Sequence, residues 1–307
     1  RLKDELEVLK ECLLGKKNIL EISNMKKHVA WYNELKSHDF NEDTVDQLLK
    51  EELTHKFVNV LEDAGVFKMN EEGKEAFRNG RRKRMKKASL VIKEIQEGTY
   101  NDVLKEVYID ESRIEKQPQR YVAAIEKFIS LYGDQEIEIY STPGRSEVSG
   151  NHTDHQNGEV LAAAINLDII AVVSKNDVVK VLSDDYDLKP ISLDDLSKKE
   201  DEVGTSEGLM RGVLARFKEL GYAIGGFNAY MTSDVLQGSG LSSSAAFEVM
   251  IGTILSGLYN EMKVDPVVIG QVGQYSENVY FGKPCGLMDQ SACSVGSLIH
   301  IDFKDNS

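Results

Sequence analysis

Cysteine is scarce in this 307-residue chain: Cys12, Cys285 and Cys293 are the whole complement. An odd number, with no Cys-x-x-Cys pair and no Cys/His ligand spacing, argues against a disulfide framework or a zinc site. It points to a reducing compartment, the cytoplasm. Long apolar runs are missing too. No stretch of about 18 apolar residues exists, so no transmembrane helix is expected. The charged start Arg1-Leu2-Lys3-Asp4-Glu5 has no apolar signal core behind it. It also lacks an initiating Met, so the chain reads as a processed or incomplete piece. Positive charge is the third shortage, with 37 Lys and Arg against 51 Asp and Glu and a net charge of −14. Phosphate backbones and anionic lipids repel such a surface, which argues against nucleic-acid and membrane partners. ATP remains open, because a small site can be locally positive. Oligomeric state leaves no signal in the sequence.

What is present is ordinary for a globular protein: 41% hydrophobic and 29% charged residues. The length allows one large or two modest domains. Residues 1–77 read as polar and helical, with Leu48, Leu49, Leu53, Phe57, Val60 and Leu61 at helical spacing. Residues 78–87 follow as a linker in which seven of ten residues are basic. With no aromatics interleaved, a solvated linker is preferred over a nucleic-acid or import patch. From Ala88 helical periodicity runs to Tyr132. A strand is expected over Glu136–Tyr140, running into Thr142-Pro143-Gly144-Arg145. Glu159–Ser174 is almost wholly apolar, as a strand buried on both faces would be, with Val178–Leu182 as its hairpin partner. Helices are expected over Gly208–Leu220, Ser243–Tyr259 and Asp265–Tyr280, the last opened by an Asp-Pro start. Strands are expected over Phe227–Met231 and Ser297–Phe303. Hairpins mixed with helices make residues 88–307 an α+β domain.

Three segments carry chemistry. In Gly238-Ser239-Gly240-Leu241-Ser242-Ser243-Ser244 the glycines let backbone N–H groups approach a phosphate, and a helix start follows. The segment lacks the Lys-Ser/Thr ending of a Walker loop, and taken alone it also fits a plain loop with an N-cap serine. The second segment, Pro143-Gly144-Arg145-Ser146-Glu147-Val148-Ser149-Gly150-Asn151-His152-Thr153-Asp154-His155, gathers short polar side chains suited to a polyhydroxylated ligand. A satisfied turn or a metal site is the competing reading, although no third ligand stands at a recognisable spacing. The third runs from Glu277 through Cys285-Gly286-Leu287-Met288-Asp289-Gln290. It offers one carboxylate near a helix end and another just after a Pro/Gly turn.

In this order the three segments resemble the galactokinase branch of the GHMP kinase family, whose motifs have the forms Pro-Gly-Arg…Gly-Glu-His-Thr-Asp, Gly-x-Gly-Leu-Ser-Ser-Ser-Ala and Cys-Gly-x-Met-Asp-Gln. The resemblance runs from about Met85 to the end. It implies a GHMP-kinase N-terminal domain (ribosomal protein S5 domain 2-like) that phosphorylates galactose at its anomeric hydroxyl from ATP, a step of galactose catabolism. It also implies roles. Arg145 and Asp289 match the catalytic pair. Asn151, His152, Asp154 and Gly286 match sugar contacts. Gly238 to Ser244 match the triphosphate cradle, and Ser244 (or Ser243) with Glu277 match the Mg²⁺ contacts. Asn151 and His155 stand where the family has Glu and Tyr. That keeps a kinase of another sugar, such as N-acetylgalactosamine, as an alternative, beside a non-catalytic sugar sensor or an inactive fragment. The family's C-terminal domain is expected after the last motif and is absent from this sequence. Residues 1–77, through His28-Val29-Ala30-Trp31-Tyr32 and Phe57-Val58-Asn59-Val60-Leu61, resemble the C-terminal tail of bacterial galactose-1-phosphate uridylyltransferase. That likeness implies two successive enzymes of galactose breakdown joined in frame.

Overall fold

The strand over residues 159–176 organises the domain, and its sequence shows why. Along Ile169–Val173 every side chain is at most 4% exposed. Ile169, Ala171 and Val173 enter one apolar core, while Ile170 and Val172 enter another on the opposite face. A period of two with apolar residues at every position requires cover on both faces. In this computed structural model, which describes residues 85–150, 158–184, 186–235 and 240–304, helices supply that cover. The expectations for residues 1–77, most of the basic linker, the loop at 151–157 and residues 236–239 fall outside the described residues.

Short β1 (Lys86–Lys87) leads into α1 (Ala88–Gln96), α2 (Asn101–Tyr108), α3 (Glu111–Ile114) and α4 (Gln117–Tyr132). The helical periodicity is therefore broken into four pieces. Gly98 and Ile109 take positive φ, Asp110 caps α3 by accepting from Ser112 N, and Pro118 sits in the first turn of α4. Then come β2 (Glu136–Ser149), β3 (Glu159–Asn176), β4 (Lys180–Ser183), β5 (Tyr186–Asp187), α5 (Ser206–Glu219), β6 (Gly226–Ser233), α6 (Ser243–Asn260), α7 (Pro266–Tyr275), a π-helical turn (Ser276–Phe281), α8 (Met288–Val295) and β7 (Leu298–Asp302).

The sheet order is β1-β2-β3-β6-β4-β5, with β7 also on β3. β2 pairs with β3 along its length. On the other side of β3, β7 takes residues 159–163 and β6 takes residues 169–176. The expected hairpin between Glu159–Ser174 and Val178–Leu182 does not form: β4 runs parallel to β6 instead. Alternation predicts a strand but not its neighbour, and both sides of β3 are already occupied. α1 and α4 pack on one face, around Ile125, Phe128 and Ile137. α5, α6 and α7 pack on the other, around Leu214, Phe217, Met250 and Ile254. Each such side chain contributes roughly 1.5–3 kcal/mol by its removal from water.

A buried ionic network pins the first helical layer to the sheet. The Asp168 carboxylate of β3, 4% exposed, accepts from Tyr108 Oη at 2.6 Å, Ser141 Oγ at 2.6 Å and Arg120 Nη1 at 2.5 Å. Arg120 Nη2 also donates to the carbonyls of Asp168 and Thr232. Both carboxylate oxygens are hydrogen-bonded and one partner is a cation, which is the condition for tolerating a buried charge. Burial, with Tyr121 and Asp168 close by, pushes the Tyr108 phenol well up.

Candidate active site

The expected strand at Glu136–Tyr140 continues through Pro143 to Ser149, and its register slips between Pro143 and Arg145. Pro cannot donate to a ladder, so it sits where a bulge interrupts one. The bulge brings the strand against the loop before α6. A Cβ on Gly144 would lie 2.9 Å from the Leu241 carbonyl oxygen, so glycine alone permits this approach. Arg145 N then donates to that same oxygen at 3.2 Å.

Arg145 extends from the bulge to Asp289 in the first turn of α8. Its Nε donates to Oδ1 at 2.7 Å and its Nη2 to Oδ2 at 2.8 Å, the two-pronged geometry that suits guanidinium and carboxylate. The remaining Nη1 donates to the Gly240 carbonyl at 2.8 Å. The Arg145 side chain is 8% exposed and that of Asp289 31%, so the arginine is a buried wall and the carboxylate is open on one side. Burial works against the Arg145 charge, but the hydrogen bonds and charge of Asp289 outweigh it and hold the guanidinium pKa above its ordinary value. Ser242 Oγ donates to Asp289 Oδ2 as well. The serine was expected only in the phosphate cradle; the structure puts its hydroxyl on the carboxylate.

Beside this pair lies a second, deeper cluster. Gln290, the next residue of α8, donates from Nε2 to Glu277 Oε2 at 2.9 Å and to Glu248 Oε2 at 3.1 Å. Glu277 belongs to the π-helical turn, a local widening that recurs at functional sites, and Lys283 Nζ stands 3.7 Å from its Oε1. Glu248 lies on α6 and is 1% exposed. Burial, reinforced by the Glu277 charge, raises its carboxyl pKa well above the ordinary range. Glu248 Oε1 and Gln290 Oε1 are buried without a hydrogen-bond partner. Cys285 packs here too, and burial with the Glu277 charge pushes its thiol up.

Of the expected site residues, the structure thus brings Arg145, Asp289, Gly240, Leu241 and Ser242 together, with Glu277 linked to Asp289's neighbour. Ser243 and Ser244 open α6. Gly286 follows Cys285, whose N donates to Asn278 Oδ1 at 2.7 Å. Asn151, His152, Asp154, Gly238 and Ser239 lie outside the described residues. Sequence reasoning assigned nothing to Glu248 or Gln290. A single carboxylate inside the apolar run from Ala245 to Ile251 was the available signal for the first.

Comparison with known proteins finds relatives of one kind. Residues 126–175 match the galactokinase galactose-binding signature and residues 208–297 the N-terminal domain of GHMP kinases. The chain is 38% identical over 165 residues to the galactokinase of Pyrococcus furiosus, covering 53% of this chain and 46% of that one. It is 34% identical over 189 residues to that of Streptomyces coelicolor, covering 59% and 48%. Among solved structures, the galactokinase of Lactococcus lactis complexed with galactose aligns with a TM-score of 0.55 and 30% identity, over 59% of this chain and 49% of that one. The chain spans about half the length of the curated relatives it matches. The described region carries the fold of a GHMP-kinase N-terminal domain.

Proposed function

We propose that this chain supplies the N-terminal half of a galactokinase active site, in which ATP phosphorylates the anomeric hydroxyl of galactose to give galactose 1-phosphate. The observation that carries the reading is the two-pronged Arg145–Asp289 pair held against the loop at Gly240–Ser242. Phosphoryl transfer passes through a loose transition state, so the protein mainly positions groups and neutralises charge. Asp289 is the acceptor for the sugar hydroxyl's proton, which leaves late in such a reaction. Arg145 holds that carboxylate in place and offsets charge on the transferring group. The Gly238–Ser244 loop and the start of α6 cradle the triphosphate. Asn151, His152, Asp154 and Gly286 bind the sugar.

Magnesium fits the donors present. The described residues hold no cluster of three or more acidic, His or Cys side chains able to bind a metal by themselves. Mg²⁺ commonly takes only one or two protein oxygens and completes its shell with phosphates and water. The Glu277 carboxylate, oriented by Gln290, and the Ser244 hydroxyl suit that arrangement. When bound, the ion neutralises phosphate charge. The compartment we assign is the cytoplasm. For residues 1–77 we keep the reading of a uridylyltransferase-like tail joined in frame, which sequencing the flanking DNA would test.

The functional test is sugar-dependent ADP release by the full-length protein with galactose, N-acetylgalactosamine and arabinose. Galactose is expected to give the highest kcat/KM. Absence of sugar-dependent ADP with any of them would overturn the assignment, and a clear preference for N-acetylgalactosamine would change the substrate.

A further inference from the structure

Ser242 is the residue before α6, and its backbone is left-handed, with φ 58° and ψ 56°. That region is costly for any residue with a Cβ and free for glycine. Serine often earns a place before a helix by capping it, yet Ser242 makes no side-chain capping bond. Its hydroxyl goes to Asp289 Oδ2 instead, 47 residues away. The carboxylate is therefore gripped from two sides: by Arg145 from the β2 bulge and by Ser242 from the loop. Arg145 also bonds the consecutive carbonyls of Gly240 and Leu241, through its side chain and its own N–H respectively. Loop and carboxylate form one hydrogen-bonded unit.

We infer that Ser242 is a positioning residue of the reaction, a latch whose hydroxyl fixes Asp289 relative to the loop, and that serine is used at this left-handed position for the hydroxyl at a cost in backbone comfort. The inference rests on the proposed kinase reading for its catalytic consequence, while the latch itself is a statement about the fold. Two substitutions separate hydroxyl from backbone. Ser242→Gly removes the hydroxyl and relieves the left-handed strain. Ser242→Ala removes the hydroxyl and keeps the strain. Both retain the backbone N–H groups of the loop.

The experiment measures melting temperature and steady-state kinetics of the full-length protein and both variants. A melting-temperature cycle with Asp289→Ala accompanies them. In both variants kcat is expected to fall about tenfold or more, the scale of a lost charge-assisted hydrogen bond, with KM for ATP within about twofold of wild type. Ser242→Gly is expected to melt no lower than wild type and Ser242→Ala lower. The effect of Ser242→Ala on melting is expected to shrink when Asp289 is already Ala, as coupled partners require. Wild-type kcat in Ser242→Gly would overturn the latch, as would a raised KM for ATP with kcat unchanged, which is the mark of a cradle role only. If the wild-type protein shows no sugar-dependent turnover, the kinase reading fails, and the melting cycle still decides the latch. Additive effects there would overturn it.

Discussion

Gln290 and Glu248 show how a residue that touches no substrate can matter at the site. Gln290 Nε2 is shared between two carboxyl groups. Two buried like charges cannot both persist so close together in a low-dielectric interior. Burial and the neighbouring Glu277 charge raise the Glu248 pKa, which favours its neutral form beside Glu277. The pH dependence follows. An unfolded Glu248 ionises near its ordinary value of 4.5, while the folded one keeps its proton to much higher pH. The folded state thus binds more protons, and this group's contribution to stability is fully present below about 4.5 and is lost as pH rises toward the folded pKa. Glu248→Gln keeps the shape and removes the ionisation. Its melting temperature relative to wild type is expected to rise as pH goes from about 5 to 9. Calorimetry across that range checks this, and a difference that stays flat or falls would contradict it. Neither residue was assigned a role from sequence. Glu248 reads there as one charge on a helix, and only tertiary packing shows that its surroundings exclude water.

Among the elements, β3 was legible in outline and its neighbours were not. Its unbroken apolar text forecast burial on both faces, and the alternation of Ile169 to Val173 between two cores bears that out. The site-bearing starts were readable too, because Asp265-Pro266 and the Pro-Gly before Arg145 are local chemistry. Asp265 does cap α7, accepting from Val267 N at 2.8 Å. Strand partners are set by long-range competition that no short window contains, which is why β4 lies on β6. The Asp168 network escaped for the same reason, since Tyr108, Arg120, Ser141 and Asp168 are scattered over four elements, α2, α4, β2 and β3. It has a measurable consequence. Asp168→Ala leaves a buried guanidinium with its main anionic partner gone and Tyr108 Oη with only the Tyr121 hydroxyl as a partner. A loss of about 3–5 kcal/mol is expected from breaking a buried pair on one side. Urea unfolding of the variant checks it, and a loss under about 1 kcal/mol would mean that the helical layer is not held through Asp168.

On the scale of the whole molecule, the described domain brings together residues that lie 144 positions apart in the chain, Arg145 and Asp289. The long β2–β3 ladder carries one and α8 the other, and the loop at Gly240–Ser242 lies between them. That convergence is the central claim, and galactose 1-phosphate formation by the full-length protein over a series of Mg²⁺ concentrations tests it most directly. Asp289→Asn keeps size and loses the proton acceptor, so turnover is expected to fall by about 10² or more, the scale of a lost positioned base, at every Mg²⁺ concentration. Glu277→Gln weakens the hold on the ion, so its defect is expected to ease as Mg²⁺ rises, by mass action. Normal product formation by Asp289→Asn, or the same response to Mg²⁺ in both variants, would contradict the account.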